Sequence, residues 1–144
     1  MEVPVLGKLI RGITSNVNQY LEEKMAPHGI GHGQFDYFIL IASNEGINQN
    51  ELAKIKSVGK ASVTKAIKIL VQSGFIERLI DGNDKRNYKL YCTVKGKSIV
   101  EGFNDYKTVV EETVLDGMSS DDIQQIYKYL DHIHRNSSKL INKI

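Results

Sequence analysis

The chain has 144 residues, 41% hydrophobic and 25% charged, with a net charge of +2, a size and mixture that suit one globular domain with a core of its own. No apolar run is long enough to span a bilayer and no signal-peptide pattern opens the chain, so the expectation is a cytoplasmic protein with no membrane partner. The single cysteine, Cys92, excludes an intrachain disulfide framework and suits a reducing compartment.

In chain order, residues 4–25 read as a long helix. Leu6, Ile10, Ile13, Val17 and Leu21 recur at three- and four-residue steps and form an apolar stripe. Pro4 fits the first turn, and the helix is expected to end before Pro27. The glycine-rich Pro27-His-Gly-Ile-Gly-His-Gly reads as a loop. Residues 34–43 then form a mostly buried helix with Phe35, Phe38, Ile39 and Ala42 on one face. Asn48 is an N-cap with Glu51 three positions on, a variant of the capping box. It opens a short helix whose Leu52 and Ile55 should point inward.

A turn over residues 56–58 leads to a helix over 60–73 with Gly59 at its cap. Val63, Ala66, Ile67, Leu70 and Val71 fall at offsets 0, 3, 4, 7 and 8, so they must form the buried face. The opposite face carries Lys60, Ser62, Thr64, Lys65 and Lys68. Ser73-Gly74 ends the helix, with Gly74 left-handed. Residues 75–80 and 88–92 read as two strands, and Asp81-Gly-Asn-Asp-Lys-Arg-Asn between them as a charged turn. Thr93 caps a helix over 94–115 with the stripe Ile99, Phe103, Tyr106, Val110 and Val114, closed by Gly117. Ser119 and Asp122 form a second capping box before a last helix over 120–142, with Ile123, Ile126, Leu130, Ile133, Leu140 and Ile141 as its apolar positions. The fold class is therefore mainly α with a small β-hairpin wing (α+β).

Charge is unevenly spread. Residues 48–97 hold eleven Lys/Arg against four Asp/Glu, a surplus of seven, whereas the rest of the chain has a deficit of five. A basic centre between acidic ends is a footprint for a polyanion, and equally a solvated surface unless a motif accompanies it. Here one does. Helix, turn, basic helix and hairpin in that order are the layout of a winged helix-turn-helix, whose second helix enters the DNA major groove. Lys60, Ala61, Ser62, Thr64 and Lys65 are the candidate groove contacts. At the wing, Arg86 is suited to a minor groove, with Asp84 orienting its guanidinium and Lys85 beside it. Lys54, Lys56 and Lys89 are candidate backbone contacts, which position without specifying.

The segments Asn50-Glu-Leu-Ala, Val58-Gly-Lys-Ala-Ser-Val-Thr-Lys, Leu70-Val-Gln-Ser-Gly-Phe-Ile-Glu-Arg, Asp81-Gly-Asn-Asp-Lys-Arg and Thr93-Val-Lys-Gly make the chain similar to the MarR/SlyA family of bacterial and archaeal transcriptional regulators. The close likeness covers residues 47–97. Gly59 departs from the family's usual Ser or Thr cap, and Cys92 from its usual leucine. The resemblance implies a single domain over residues 1–144. In it, 1–30 and 116–144 are dimerisation helices, 31–97 the DNA-binding lobe, and 94–115 a long connecting helix. It further implies a homodimer that binds double-stranded DNA, often as a repressor, and is released by a small phenolic or anionic effector. Its wing pattern maps the minor-groove pair onto Asp84 and Arg86. Physics also favours a dimer: the stripes at 4–21 and 123–141 lie outside the compact motif, and a symmetric partner would bury them. The operator expected for such a dimer is a pseudo-palindrome with half-sites about one turn apart, ~34 Å.

For an effector, Lys8, Arg11, His32 and Tyr37 are the candidates; ordinary surface roles compete with that assignment. No cofactor is expected. No nucleophile elbow, phosphate loop or metal-ligand spacing suggests an enzyme. His28 and His32 sit in a glycine loop and His132 and His134 diverge on a helix, which argues against a metal site. Cys92 reads as a small core residue rather than a redox-sensing thiol. The competing class is a winged helix used only for protein contacts, without DNA affinity.

Overall fold

The computed structural model describes residues 5–82 and 84–144, with backbone alone at Asp81 and at residues 84–87. Pro4 lies outside the described residues. The chain divides into two units, Met1–Lys107 and Thr108–Ile144. The first holds α1 (Val5–Met25), a 3-10 turn (Ala26–His28), α2 (His32–Ser43), α3 (Gln49–Lys56), α4 (Lys60–Gln72), β1 (Ile76–Asp81), β2 (Asp84–Cys92) and most of α5 (Val94–Val114). The second holds the end of α5, α6 (Ser120–Ser138) and a 3-10 turn (Ile141–Lys143). Among the described residues no helix is long and apolar enough to cross a membrane.

The core of the first unit is built by α2, α3, α4 and the hairpin. Phe38, Ile41, Leu52, Val63, Ile67, Leu70, Phe75, Ile76 and Leu90 are all buried there. The rings of Phe38 and Phe75 meet edge-on at 6.1 Å, and Phe35 meets Phe103 of α5 at 5.8 Å, both favourable arrangements of aromatic quadrupoles. Three readings of buried faces need correction. In α4, Val71 is half-buried and the other four positions of the stripe are buried. In α2 the buried residues are Phe35, Tyr37, Phe38 and Ile41, while Ile39 and Ala42 are half-buried. A helix apolar all round is packed on more than one side, so a single stripe does not describe it. Ile55 of α3 does not point inward; it is 55% exposed, and Leu52 is the buried residue of that helix.

The termini of the helices show why these segments stop where they do. The glycine-rich loop is shorter than its composition suggested: Gly31 is the N-cap of α2, and Gly33 lies inside its first turn, where a glycine costs less than at mid-helix. The Asn48 side chain accepts from the Glu51 N–H at 2.8 Å, and its amide donates to the Glu51 carboxylate at 2.6 Å. Glu51 therefore meets the side chain of Asn48 and not its backbone, so the box is only half of the usual form. In the turn after α3, Ser57 is the one non-glycine residue with positive φ among the described residues, +53°, a conformation that costs a side-chain-bearing residue about 1 kcal/mol or more. Gly74 takes positive φ as expected, and so does Gly117, which was read only as the end of its helix.

The hairpin is antiparallel, with Ile76 opposite Cys92 and Ile80 opposite Tyr88, and its register shifts between Ile80 and Asp81. Its strands reach closer to the tip than the sequence indicated, because β2 begins at Asp84. A third edge was not anticipated. Ile47 bridges Leu90, with Gly46 N–H donating to the Leu90 carbonyl at 2.8 Å and Leu90 N–H donating to that of Ile47 at 2.9 Å. This pair ties the wing to the loop before α3.

At the root of the wing, the Thr93 N–H donates to the Phe75 carbonyl (3.1 Å), and its hydroxyl donates to the Gly74 carbonyl (2.5 Å) while accepting from the Gly96 N–H (3.1 Å). Thr93 thus caps α5 and fastens it to the end of α4 in one step. In the second unit the Ser119–Asp122 capping box is complete. The Tyr127 hydroxyl donates to Glu111 at 2.7 Å, joining α6 to the last turns of α5. The helix stops at Ser138, not near 142. The Ser137 and Ser138 hydroxyls donate to the carbonyls of His134 and Arg135, a local bonding that competes with helix continuation.

Gly96 carries a strict packing demand, since a Cβ there would sit 2.3 Å from the Phe75 carbonyl oxygen, whereas one at Gly102 meets nothing within 4 Å. Gly96→Ala is expected to destabilise the fold by about 1–3 kcal/mol, and Gly102→Ala to stabilise it by about 0.5–1 kcal/mol. Urea denaturation midpoints moving in opposite directions are the check.

Candidate nucleic-acid interface

One face of α4 is locked into the core, since Val63, Ala66, Ile67 and Leu70 are all buried. Lys60, Ala61, Ser62, Lys65 and Lys68 are in consequence exposed on the other side. None of Lys54, Lys60, Lys65, Lys68 and Lys89 has an ion-pair partner among the described residues. Gly59 caps α4 in an extended conformation and supplies no side-chain bond. The positive end of that helix is consequently left without a side-chain acceptor, and a phosphate could take that place. An open cleft of about 470 Å³ separates α3 from the start of α4, bordered by Asn50, Ala53, Lys54, Val58, Gly59 and Lys60.

Two residues grouped with these by sequence behave differently. The Thr64 hydroxyl lies 2.9 Å from the Lys60 carbonyl and 3.3 Å from the Gln49 side-chain oxygen, so its one hydrogen is engaged inside the protein and it braces α4 against α3. Lys56 is no free phosphate contact. Its ammonium lies 3.1 Å from the Asp36 carboxylate and 4.5 Å from the centre of the Tyr37 ring. The side chains of Asp84, Lys85 and Arg86 lie outside the described residues; their backbone forms the start of β2.

A second cavity, of about 460 Å³, opens between α1, α2, α3 and α5. Its apolar wall is Leu21, Phe35, Ile39, Leu40, Ile55 and Phe103, and its polar groups are Asn18, Asp36, Lys56 and Lys107. None of the four effector candidates chosen from the sequence lines it. Lys8 and Arg11 are exposed on α1. His32 holds Glu22 of α1 through Nδ1 at 2.6 Å. Tyr37 is buried and reaches the cavity only through the Lys56 ammonium stacked on it. The residues that do line it come from four helices with no common spacing, so periodicity carries no signal for them.

Cys92 is buried, and its N–H donates to the Glu45 carboxylate at 3.0 Å. Burial, with a smaller push from Glu45, raises its thiol to about 11, partly offset by Lys97. The thiolate is therefore scarce at neutral pH, and the sulfur is a packing group.

A sequence model described as "MarR family" matches residues 30–88. The chain is 33% identical over 104 residues to the uncharacterized HTH-type transcriptional regulator YybA of Bacillus subtilis, covering 72% of this chain and 69% of that protein. The solved structure of a MarR transcriptional regulator from Methanosarcina mazei Go1 superposes with a TM-score of 0.85 at 27% identity, over 94% of this chain and 98% of the other. A MarR-family regulator from Listeria monocytogenes, solved with a 26mer DNA, shares the fold with a TM-score of 0.81 at 24% identity, over 94% and 89% of the two chains.

Ellman's reagent at pH 8 is expected to label native Cys92 at least tenfold more slowly than the urea-unfolded chain, as its scarce thiolate and burial require. Fast native labelling would mean that the thiol is open and ionised.

Proposed function

The chain belongs to the MarR family of DNA-binding transcriptional regulators, which are not enzymes, and on that footing we propose that it is a homodimeric repressor of a pseudo-palindromic operator, acting in the cytoplasm and released by a small effector. The observation that carries the reading is α4, which buries its apolar face and turns Lys60 and Lys65 outward with no ion-pair partner among the described residues. In this reading Lys60, Ala61, Ser62 and Lys65 approach base edges and the nearby phosphates, with Thr64 setting the pitch of the helix. Lys54 and Lys89 neutralise backbone phosphates, and Asp84, Lys85 and Arg86 serve the minor groove at the wing. The relatives' names and the DNA in a structure of the same fold support duplex binding as the activity.

Dimerisation is supported by what the chain leaves uncovered. Val5, Leu6, Leu9, Ile10 and Ile13 are all exposed on α1, and no residue of the second unit is buried among those described. A monomer would leave this apolar surface in water, at roughly 25 cal/mol per Å². Residues 1–30 and 116–144 are the proposed dimer helices, 31–97 the DNA-binding lobe and 94–115 the connection between them. The four-helix cavity is the proposed effector site, replacing Lys8, Arg11 and His32 as ligand contacts, because its apolar wall and paired lysines suit an aromatic anion.

Footprinting of the DNA flanking the gene is expected to give two protected half-sites, with affinity falling about 10³–10⁵-fold between 50 and 200 mM salt if roughly 6–10 phosphates are neutralised. Lys60→Ala with Lys65→Ala should weaken binding about tenfold to a hundredfold and lower the salt slope by about two. A chain that protects no DNA at low salt would instead be a winged helix for protein contacts. Sedimentation should find a dimer, and Ile10→Glu with Ile13→Glu a monomer; an unchanged dimer would place the interface elsewhere.

A further inference from the structure

The last residue of α3 ties the proposed effector cavity to the DNA-reading helix. Lys56 precedes Ser57, whose left-handed backbone is held by bonds from Ser57 N–H to the Lys54 carbonyl and from Val58 N–H to that of Ala53. Gly59 then caps α4. A force on the Lys56 side chain is thus applied one residue before the strained turn that sets the start of α4. Both contacts of the ammonium are to α2, the Asp36 carboxylate at 3.1 Å and the Tyr37 ring at 4.5 Å.

Asp36 and Lys56 also both border the cavity, where Lys107 supplies a second cation. The Asp36 side chain is 46% exposed and that of Lys56 21%, so the acid can swing toward solvent while the lysine stays facing the cavity. Two cations against one acid attract a carboxylate, and that carboxylate competes with Asp36 for the same ammonium. The uncovered Ile55, next to Lys56 on the cavity wall, gives the apolar part of such a ligand a surface to cover.

We propose that the Asp36–Lys56 ion pair is a ligand-sensitive latch: an aromatic carboxylate entering the cavity takes the Lys56 ammonium from Asp36, and the freed end of α3 loosens the turn that positions α4. This rests on the cavity being the effector site. Asp36 is a positioning residue that acts through Lys56, not a DNA contact. Its removal imitates the ligand and also removes the ligand's competitor. A merely structural role for the pair would not produce the second effect.

The test uses the full-length chain, the footprinted duplex, and benzoate with neutral benzamide as control. Asp36→Asn is expected to bind the duplex about 1.5-fold to fivefold more weakly than wild type, the range a partly exposed ion pair can supply. It is expected to bind benzoate more tightly by a similar factor and to lose most of the benzoate effect on DNA binding. Amide exchange at residues 57–60, read without DNA, should be faster in Asp36→Asn and in benzoate-bound wild type, and unchanged by benzamide. Asp36→Glu keeps the carboxylate and should keep the latch, which separates loss of the pair from loss of the fold. If benzoate binds but Asp36→Asn matches wild type in exchange and in benzoate affinity, the latch is wrong and the cavity reading stands. If benzoate binds neither protein, both are wrong.

Discussion

The burial of one face of α4 is the constraint on which the rest depends. Val63, Ala66, Ile67 and Leu70 are held between α2, α3 and the root of the hairpin, and these buried side chains fix the rotation of the helix about its axis. Each core side chain gains roughly 1.5–3 kcal/mol on burial. A rotation that buried Lys60 or Lys65 instead would lose those gains and also require desolvating a charge. The cationic face is thus a by-product of the apolar one, and its direction is as rigid as the core.

The neighbouring elements serve the same helix from its two ends. At its start, Thr64 bonds back toward Gln49, and the capped α3 leads into the left-handed Ser57. At its end, Gly74 turns the chain, and Thr93 and Gly96 press the start of α5 onto the backbone of Phe75. A side chain at 96 would force that contact apart, so the glycine answers to a close approach and not to flexibility. The Ile47–Leu90 bridge secures the wing to the same frame. The strained residue, Ser57, lies between the helix that touches the cavity and the helix that carries the exposed lysines.

Much of this was legible in the order of residues alone. The offsets 0, 3, 4, 7 and 8 of Val63, Ala66, Ile67, Leu70 and Val71 marked the inner face of α4, and with it the exposed lysines, although Val71 at its end is only half-buried. Asn48, Gly74, Thr93, Gly117 and Ser119 marked the helix ends, because capping bonds reach only two or three residues along the chain. The motif segments between 47 and 97 determined the family. Only the tertiary structure decided that Ile55 faces out, that Lys56 is held by Asp36 and Tyr37, that Ile47 pairs with Leu90, and that the cavity is lined by none of Lys8, Arg11, His32 and Tyr37. Each of these joins residues from different elements. Their distances follow from how helices cross and pack, whereas periodicity along one helix says only which way a side chain leaves its own axis.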